Sequence, residues 1–285
     1  MWESSLNSEQ SAAVDALAAR AADVDGFDPL NEEARFSRTP GAARHLLVAG
    51  PDRLVGYLVH SPGHRTAQLV VDPEHRRHRI GSRLVEILST EAPPRLWAFH
   101  DAPPAQGFAR HLGLVEGRAL LVMGRPLPDD THPAAAPDDG VRLRGYRPDD
   151  AGALLAVNAA AFAHHPEQGG LDADGLATRM NEDWFDPEGL IVAVEDGRML
   201  GFHWTKQVGE LGEVYVVGVD PAAQGRGLGR RLLRAGLDHL TSAGCRSVIL
   251  YVDSADTVAV GMYSSAGFDV VHRDVLYVPA TKEQQ

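Results

Sequence analysis

A glycine-rich segment in the second half of the chain has the composition of an anion-binding turn. Its letters are Gln224-Gly225-Arg226-Gly227-Leu228-Gly229, and it lies between an apolar strand pattern and an amphipathic helical pattern. Glycine lets the backbone approach a ligand closely, and the first amides of a helix have no partner within the helix. The helix dipole is positive at this end, so the turn can hold a pyrophosphate. Arg226, Arg230 and Arg231 add positive charge.

Two side chains near this turn could move protons. Glu213 opens the strand that leads to the turn, so its carboxylate could accept a proton from an attacking amine, directly or through water. Side chains alternate along a strand, which places Glu213, Tyr215 and Val217 on one face. Tyr263 lies on a later helical segment, and its hydroxyl could protonate a leaving group. The ordinary alternatives are an exposed strand-end glutamate and a tyrosine packed in the core.

The elements that must position these residues alternate between strands and helices. We predict strands at 141–145, 190–195, 199–206, 212–219 and 247–251, with closing strands up to Val278. We predict helices at 148–162, 171–182, 227–243 and 257–266. Asp196-Gly197 is a hairpin signal between two of the strands. Mixed strands with helices on both faces predict an α/β domain.

The two halves of the chain repeat one another. Val71-Asp72-Pro73 and Val219-Asp220-Pro221 lie 148 positions apart (71 and 219). At the same offset further residues correspond: Arg76 with Gln224, Ile80 with Leu228, Gly81 with Gly229, Arg83 with Arg231 and Leu84 with Leu232. Each half also has a second helix that ends in glycine and an apolar residue, so we infer a duplication.

The first copy lacks the groups that could do the chemistry. Arg65 corresponds to Glu213, and Arg79 corresponds to Gly227, which removes a glycine from the turn. Ala109 corresponds to Tyr263 when the helix-ending glycines are aligned. We therefore predict a non-catalytic domain at 1–125, a linker rich in proline and aspartate at 126–140, and a catalytic domain at 141–285.

Composition and charge limit the class of protein. The 285 residues carry a formal charge of −12, with a pI near 5.5, so nucleic-acid binding is not expected. Cys245 is the only cysteine, and no apolar run reaches eighteen residues. We expect a cytoplasmic monomer without membrane contact. His164, His165 and His203 lack metal-ligand spacing, so no metal is expected.

The strand, the V-D-P sequence, the glycine turn and the helix together resemble the Q/R-x-x-G-x-G/A signature of the GNAT acetyltransferases. That resemblance implies two tandem GNAT domains, each a mixed central sheet flanked by helices, with acetyl-CoA as cosubstrate. It favours this family over a nucleotide-binding Rossmann fold, whose acidic residue does not follow at the right distance. Met262 to Phe268 resembles the family's Y-x-x-x-G-F pattern, which implies Tyr263 as the general acid. For Glu213 the adjacent cofactor turn favours the role of base over that of an exposed strand-end residue.

In this family the strands open at a bulge before the V-x-P sequence, where a backbone amide meets the thioester oxygen. Gly218 lies at that position, and glycine within a strand often marks either a bulge or a close approach. The resemblance implies a coenzyme A site in the second domain formed by Val217, Gly218, Val219, Gln224, Gly225, Arg226, Gly227, Leu228, Gly229, Arg230 and Asp256. For the first domain two alternatives stay open. It either holds coenzyme A at a corresponding site, or it is only structural. The residues of the corresponding site would be Leu69, Val70, Val71, Arg77, His78, Arg79, Ile80, Gly81 and Ser82.

Further segments are similar to the mycothiol synthase family, whose members are tandem GNAT proteins. They are Asn158 to Gly170, Trp184 to Leu190, Leu200 to Lys206 and Leu211 to Val216. The family acetylates the cysteinyl amine of desacetylmycothiol, a cysteine–glucosamine–inositol conjugate, in the last step of mycothiol synthesis in actinobacteria. The resemblance implies a substrate site formed by Glu32, Glu182, Lys206, Glu213 and Tyr251.

Two other functions stay open at this point. The chain could acetylate another small amine, such as an antibiotic, or a protein N-terminus. It could also be a non-catalytic regulator that binds coenzyme A. Because Glu213 and Tyr263 occur in the same half as the complete glycine turn, the sequence favours an enzyme over a regulator.

Overall fold

The computed structural model describes residues 1–38, 41, 43–128, 139–163 and 168–280. Most of the predicted linker, residues 129–138, and the two histidines His164 and His165 lie outside the described residues. The chain forms two compact units. The first contains Met1–Leu121, Asp253–Ala255 and His272–Gln285, and the second contains Val122–Val252 and Asp256–Val271. The functional division at 125 and 141 stays a prediction.

The first unit is a mixed sheet with helices on both faces. Its helices are α1 (Ser8–Asp25), α2 (Glu32–Phe36), α3 (Ile80–Ser89) and α4 (Pro103–His111). Its strands are β1 (Arg44–Ala49), β2 (Leu54–Ser61), β3 (Thr66–Val71) and β4 (Leu96–Ala98), with parts of β5 (Leu114–Pro126) and β11 (Asp269–Pro279). The strand order is β1-β2-β3-β4-β11-β5.

Alternating residues of β2 divide the core of the first unit into two clusters. Tyr57 and Val59 pack with Val14 and Leu17 of α1. Leu58, between them, packs with Leu84 of α3 in the other cluster. The alternation of side chains along β2 thus gives each face of the sheet its own helix layer.

The second unit repeats this arrangement with longer central strands. Its helices are α5 (Ala151–Ala161), α6 (Ala173–Met180), α7 (Leu228–Ser242) and α8 (Thr257–Ser265). Its strands are β6 (Arg142–Gly145), β7 (Leu190–Glu195), β8 (Arg198–Val208), β9 (Leu211–Val219) and β10 (Ser247–Asp253), in the order β5-β10-β9-β8-β7-β6. One core cluster joins Leu154, Phe202 and Trp204, and another joins Leu200 with Leu228 and Leu232.

The predicted α/β organisation is confirmed, with shorter helices at two places. Residues 148–150 form a 3₁₀ turn before α5, so the predicted helix at 148–162 has two parts. Asp172 caps α6 by accepting a hydrogen bond from the amide of Gly175, so this helix begins later than predicted. The predicted closing strands are one strand, β11. None of the described helices is both long and apolar enough to cross a membrane.

The hairpin predicted at Asp196-Gly197 is confirmed. Both residues have positive φ, 49° for Asp196 and 80° for Gly197. This conformation matches the twist of the flanking strands, which an Asp-Gly pair favours. The hairpin joins β7 to β8 and so fixes the strand that lies beside β9.

Candidate active site

The glycine turn of the second unit connects β9 to α7. The Asp220 side chain accepts a hydrogen bond from the Ala222 amide and caps a short 3₁₀ turn. Gly225 and Gly227 follow with φ of 78° and 77°, a left-handed conformation that residues with a Cβ rarely adopt. Gly227 is the N-cap of α7, so the first amides of this helix face the end of the turn.

The turn of the first unit has the same backbone conformation although its glycines are replaced. Arg77 and Arg79 have φ of 66° and 63°, and they correspond to Gly225 and Gly227. Asp72 has φ −48° and ψ 127°, against −48° and 126° for Asp220. A left-handed residue with a side chain costs about 1 to 2 kcal/mol. The first copy therefore keeps the geometry of the turn at a cost in stability.

Two of the three arginines near the second turn form ion pairs within the unit. Arg226 donates two hydrogen bonds to Glu195, at 3.0 and 2.6 Å. Arg231 donates to Asp139 at 2.6 Å. Arg230 instead lines a groove of about 400 Å³ between α7 and α8, together with Arg125 and Arg234. Of the three arginines that the sequence indicated, Arg230 is thus the one that lines this groove, and Arg234 lies 3.9 Å from Asp238, which lines it as well.

The sheet opens next to the turn. The parallel pairing of β9 with β10 extends from Leu211–Ser247 to Val214–Leu250, and β9 continues beyond it to Val219. Gly218 remains opposite Phe202 in the ladder with β8. The amides of β9 beyond Val214 therefore lie where the ladder with β10 has ended, as the prediction of an opening required.

The bulge that was predicted at Gly218 lies elsewhere. In the β8–β9 ladder Trp204 pairs with Val216, whereas Thr205 pairs with Val214, so Tyr215 is the extra residue. Of the two alternatives that glycine indicated, the bulge at Gly218 is wrong and the close approach is confirmed. A Cβ on Gly218 would stand 2.9 Å from the Phe202 ring, so Gly218 provides space for that ring.

The bulge brings Lys206 opposite Glu213. Without the extra residue Lys206 would pair with Val214, but the shifted register pairs it with Glu213. Directly opposed residues have their side chains on one face of the sheet. Lys206 and Glu213, two predicted site residues of opposite charge, are therefore neighbours near the start of β9.

Aromatic rings surround Lys206. Its Nζ lies 5.0 Å from the centre of the Trp184 ring and 5.5 Å from that of Tyr215. The Tyr215 hydroxyl accepts a hydrogen bond from Arg179 Nε at 2.9 Å. Sequence analysis did not assign Trp184, Tyr215 or Arg179 to the site. Two signals were present: Tyr215 was on the predicted face of Glu213, and Trp184 and Tyr215 lie in two of the segments that carry the resemblance. The contacts with Arg179 are tertiary and had no signal in the sequence.

Tyr263 lies on α8, where it is buried and packs edge-on against Phe268 at 5.9 Å between ring centres. Burial, with a smaller contribution from Asp256, raises the pKa of Tyr263 to about 12, so the hydroxyl carries its proton at neutral pH. Asp256 caps α8 by accepting a hydrogen bond from the Ala259 amide at 2.9 Å. The structure thus gives Asp256 a local role in the helix start.

The other predicted substrate residues differ in exposure. Glu182 is half-buried, just after α6 and two positions before Trp184. Tyr251 is 49% exposed on β10, one residue beyond the last β9 pair, where the sheet opens. Glu32 is the first residue of α2 in the first unit and is half-buried.

A cavity of about 650 Å³ lies in the first unit beside its turn. All residues predicted for the first coenzyme site except His78 line it: Leu69, Val70, Val71, Arg77, Arg79, Ile80, Gly81 and Ser82. Phe27, Trp97 and Phe108 contribute aromatic surface, and Ala109, which corresponds to Tyr263, also lines the cavity. The His78 imidazole instead lies 2.9 Å from the Arg76 carbonyl oxygen.

His203, considered as a metal ligand, is fully buried beneath α7. Its Nδ1 lies 2.8 Å from the carbonyl oxygen of Leu232. Burial lowers the pKa of His203 to about 4, so the ring is neutral at physiological pH. Its position is that of a core residue that joins β8 to α7.

Comparison with known proteins places these features in a family. The sequence matches the Acetyltransferase (GNAT) family over residues 12–114 and 160–268. It is 43% identical to the mycothiol acetyltransferase of Rhodococcus erythropolis, over 98% of this chain and 99% of the relative. It is 46% identical to the mycothiol acetyltransferase of Thermobispora bispora, over 93% of this chain and 94% of the relative.

Solved structures share the fold. A tandem GNAT protein from the clavulanic acid biosynthesis pathway has a TM-score of 0.73 at 19% identity, covering 99% of this chain and 100% of that chain. A GCN5-related N-acetyltransferase from Sphaerobacter thermophilus has a TM-score of 0.68 at 23% identity, covering 97% and 94%. The predicted tandem GNAT fold is confirmed. The chain is an acyltransferase of the GNAT family, and within it the chain belongs to the family of mycothiol acetyltransferases.

Proposed function

We propose that this enzyme acetylates the cysteinyl amine of desacetylmycothiol, using acetyl-CoA, by direct transfer in a ternary complex. The observation that carries the proposal is the union in one unit of the complete glycine turn, Glu213 and Tyr263. The names of the relatives supply the amine. A polyhydroxylated amine is matched by the carboxylates, the ammonium and the phenol predicted around it, from Glu182, Glu213, Lys206 and Tyr251.

Three groups of the second unit each contribute one step of the acetyl transfer. The Glu213 carboxylate accepts the proton of the substrate ammonium, directly or through water, and so frees the nitrogen lone pair for attack. Backbone amides near Val217, Gly218 and Val219 donate to the thioester oxygen, which gains negative charge as the C–N bond forms. Tyr263 donates its proton to the departing sulfur. At neutral pH the Tyr263 hydroxyl carries this proton, and burial raises its pKa to about 12.

The residues present fit coenzyme A at the second turn. The left-handed Gly225 and Gly227 leave the backbone open, and the first amides of α7 can donate to a pyrophosphate. Gln224, Arg226, Leu228 and Gly229 complete the turn. Arg230 lines the neighbouring groove, where its guanidinium can add charge. Asp256, also predicted for this site, lies at the start of α8, which its side chain caps.

The first unit binds a second coenzyme A without catalysing transfer. Its turn keeps the left-handed conformation at Arg77 and Arg79, and the adjoining cavity is large enough for part of a nucleotide thioester. Arg65 and Ala109 replace the base and the acid. We expect equilibrium dialysis to find two acetyl-CoA molecules per chain, whereas a single bound molecule would contradict the second site.

The remaining expectations are part of the same proposal. The reaction needs no metal ion, and the enzyme works in the cytoplasm as a monomer, without nucleic acid or membrane. The substrate is a small molecule, and Glu32 stays among the residues predicted to bind it. Each of these expectations can be tested independently, by activity in the presence of a chelator, by fractionation and by sedimentation.

The decisive experiment is a steady-state assay with acetyl-CoA and desacetylmycothiol, beside a panel of other small amines and N-terminal peptides. We expect kcat/KM to be highest for desacetylmycothiol. Glu213→Gln and Tyr263→Phe should each lower kcat, by roughly 10²- to 10⁴-fold for the base, while acetyl-CoA affinity is retained. A strong preference for another amine would replace the proposed substrate. Unchanged turnover in both variants would refute the assigned roles and favour a coenzyme A-binding regulator.

A further inference from the structure

We propose that Trp184 and Tyr215 are positioning residues that hold the Lys206 ammonium beside Glu213, ready to bind the hydroxyl groups of the amine substrate. The inference rests on the proposed function and adds two residues that act through a third. It explains why three aromatic rings and an arginine lie behind one lysine at the edge of the site.

The geometry forms a corner of two rings. The Trp184 and Tyr215 rings lie 4.9 Å apart between centres and are tilted by 56°. The Lys206 ammonium lies within 5.0 Å of one ring centre and 5.5 Å of the other. A cation within about 6 Å of an aromatic face is attracted by the electron-rich centre of the ring. Two such faces at an angle limit the directions in which the ammonium can lie.

The corner itself is fixed from behind. Trp204 is fully buried and meets the Tyr215 ring edge-on, at 5.5 Å and 76°. It also contacts the Trp184 ring, at 6.0 Å between centres. Arg179 donates to the Tyr215 hydroxyl, and its Nη1 donates to the Gly175 carbonyl oxygen at 3.0 Å. Tyr215 is thus held at its ring and at its hydroxyl.

Such an arrangement matters because lysine is flexible. Ordering its four-carbon chain on substrate binding costs side-chain entropy. When the folded protein has already ordered Lys206, substrate binding does not bear that cost. A lysine ammonium has three donors, which a substrate hydroxyl oxygen can share with protein groups.

The test is a double-mutant cycle on the full-length enzyme with desacetylmycothiol and acetyl-CoA. We expect Trp184→Leu to raise KM for the amine about tenfold, with kcat and KM for acetyl-CoA nearly unchanged. Trp184→Phe should restore most of the affinity because it keeps an aromatic face. Lys206→Met should raise KM at least as much, and Trp184→Leu should add almost nothing in that background.

Two controls show whether a loss comes from the positioning role or from a folding defect, and whether a failure concerns this role or the proposed function. A truncated cysteinyl amine without the sugar should show little difference between wild type and Trp184→Leu. Equal, multiplicative effects of Trp184→Leu in both backgrounds, or equal losses for both amines, would overturn the positioning role. The wild-type enzyme is assayed first with desacetylmycothiol. If it does not acetylate this amine, the proposed function is refuted, whatever the variants show.

Discussion

Gly236 lies on α7 where this helix meets β8, and its lack of a side chain leaves room for the His203 imidazole. A Cβ at Gly236 would stand 2.0 Å from one atom of that ring and 2.1 Å from another. His203 is fully buried, and its hydrogen bond to the Leu232 carbonyl prevents the ring from turning away freely. We therefore predict that Gly236→Ala destabilises the protein.

The magnitude follows from three contributions. Over-packing in a core costs about 1 to 3 kcal/mol. Loss of the buried hydrogen bond between His203 and Leu232 costs about another 1 to 3 kcal/mol. Alanine in a helix interior is favoured over glycine by about 1 kcal/mol, which opposes both. The net loss in the free energy of unfolding should be about 3 kcal/mol.

Urea unfolding at neutral pH measures this loss as a lower midpoint with an unchanged slope. Gly261→Ala is the matched control, because Gly261 is also in a helix but nothing lies within 4 Å of the added Cβ. We expect this control to stabilise by about 0.5 to 1 kcal/mol. In a His203→Ala background, Gly236→Ala should no longer destabilise. A wild-type midpoint for Gly236→Ala, or the same loss without His203, would refute the reasoning.

Three further predictions concern protonation and backbone strain. Burial lowers the pKa of His203 to about 4 from 6.5, so the unfolded chain binds the proton more readily and stability falls as the pH drops. This should cost about 2 kcal/mol between pH 7 and pH 5 in urea unfolding, and less in His203→Leu. Arg79→Gly should raise the free energy of unfolding by about 1 kcal/mol, because it removes a side chain from a left-handed residue. Gly225→Ala should raise KM for acetyl-CoA about tenfold in steady-state kinetics, because the added Cβ prevents the close approach of the backbone to the cofactor.

Each of these predictions has a contrary outcome that is easy to recognise. An equal acid-induced loss in His203→Leu would assign the pH dependence to other groups. An unchanged or lower urea midpoint for Arg79→Gly would show that the left-handed arginine is not strained. For Gly225→Ala the control is Gly63→Ala, an exposed position without positive φ, which should leave KM unchanged.

Local sequence patterns predicted the parts of the site that are formed by residues close together in the chain. The strand, the Asp220 cap, the two left-handed glycines and α7 follow one another in the chain, so their order alone indicated the turn. The Asp196-Gly197 hairpin was predictable for the same reason, because its conformation is a property of two residues. The repeat at a fixed offset then extended the prediction to the first unit.

Contacts between distant residues were outside the reach of such patterns. The shifted β8–β9 register depends on how Trp204 and Tyr215 pack, and periodicity would have paired Lys206 with Val214. Nothing in the sequence around Arg79 indicates a left-handed residue, since arginine rarely adopts that conformation. Arg79 replaces the glycine that the second copy has at this position, yet the turn of the first unit keeps the same shape.

Strand β11 lies near the end of the chain but completes the sheet of the first unit, and this affects the order in which the protein can fold during synthesis. Val275, Leu276 and Tyr277 pair with β4, so residues from both ends of the chain complete the first sheet. At about 5 to 20 residues per second, translation from Leu121 to His272 takes roughly 8 to 30 seconds. During that interval the nascent first unit exposes the β4 edge that β11 later covers. A ribosome-bound chain therefore has a defined period in which chaperones can bind that edge.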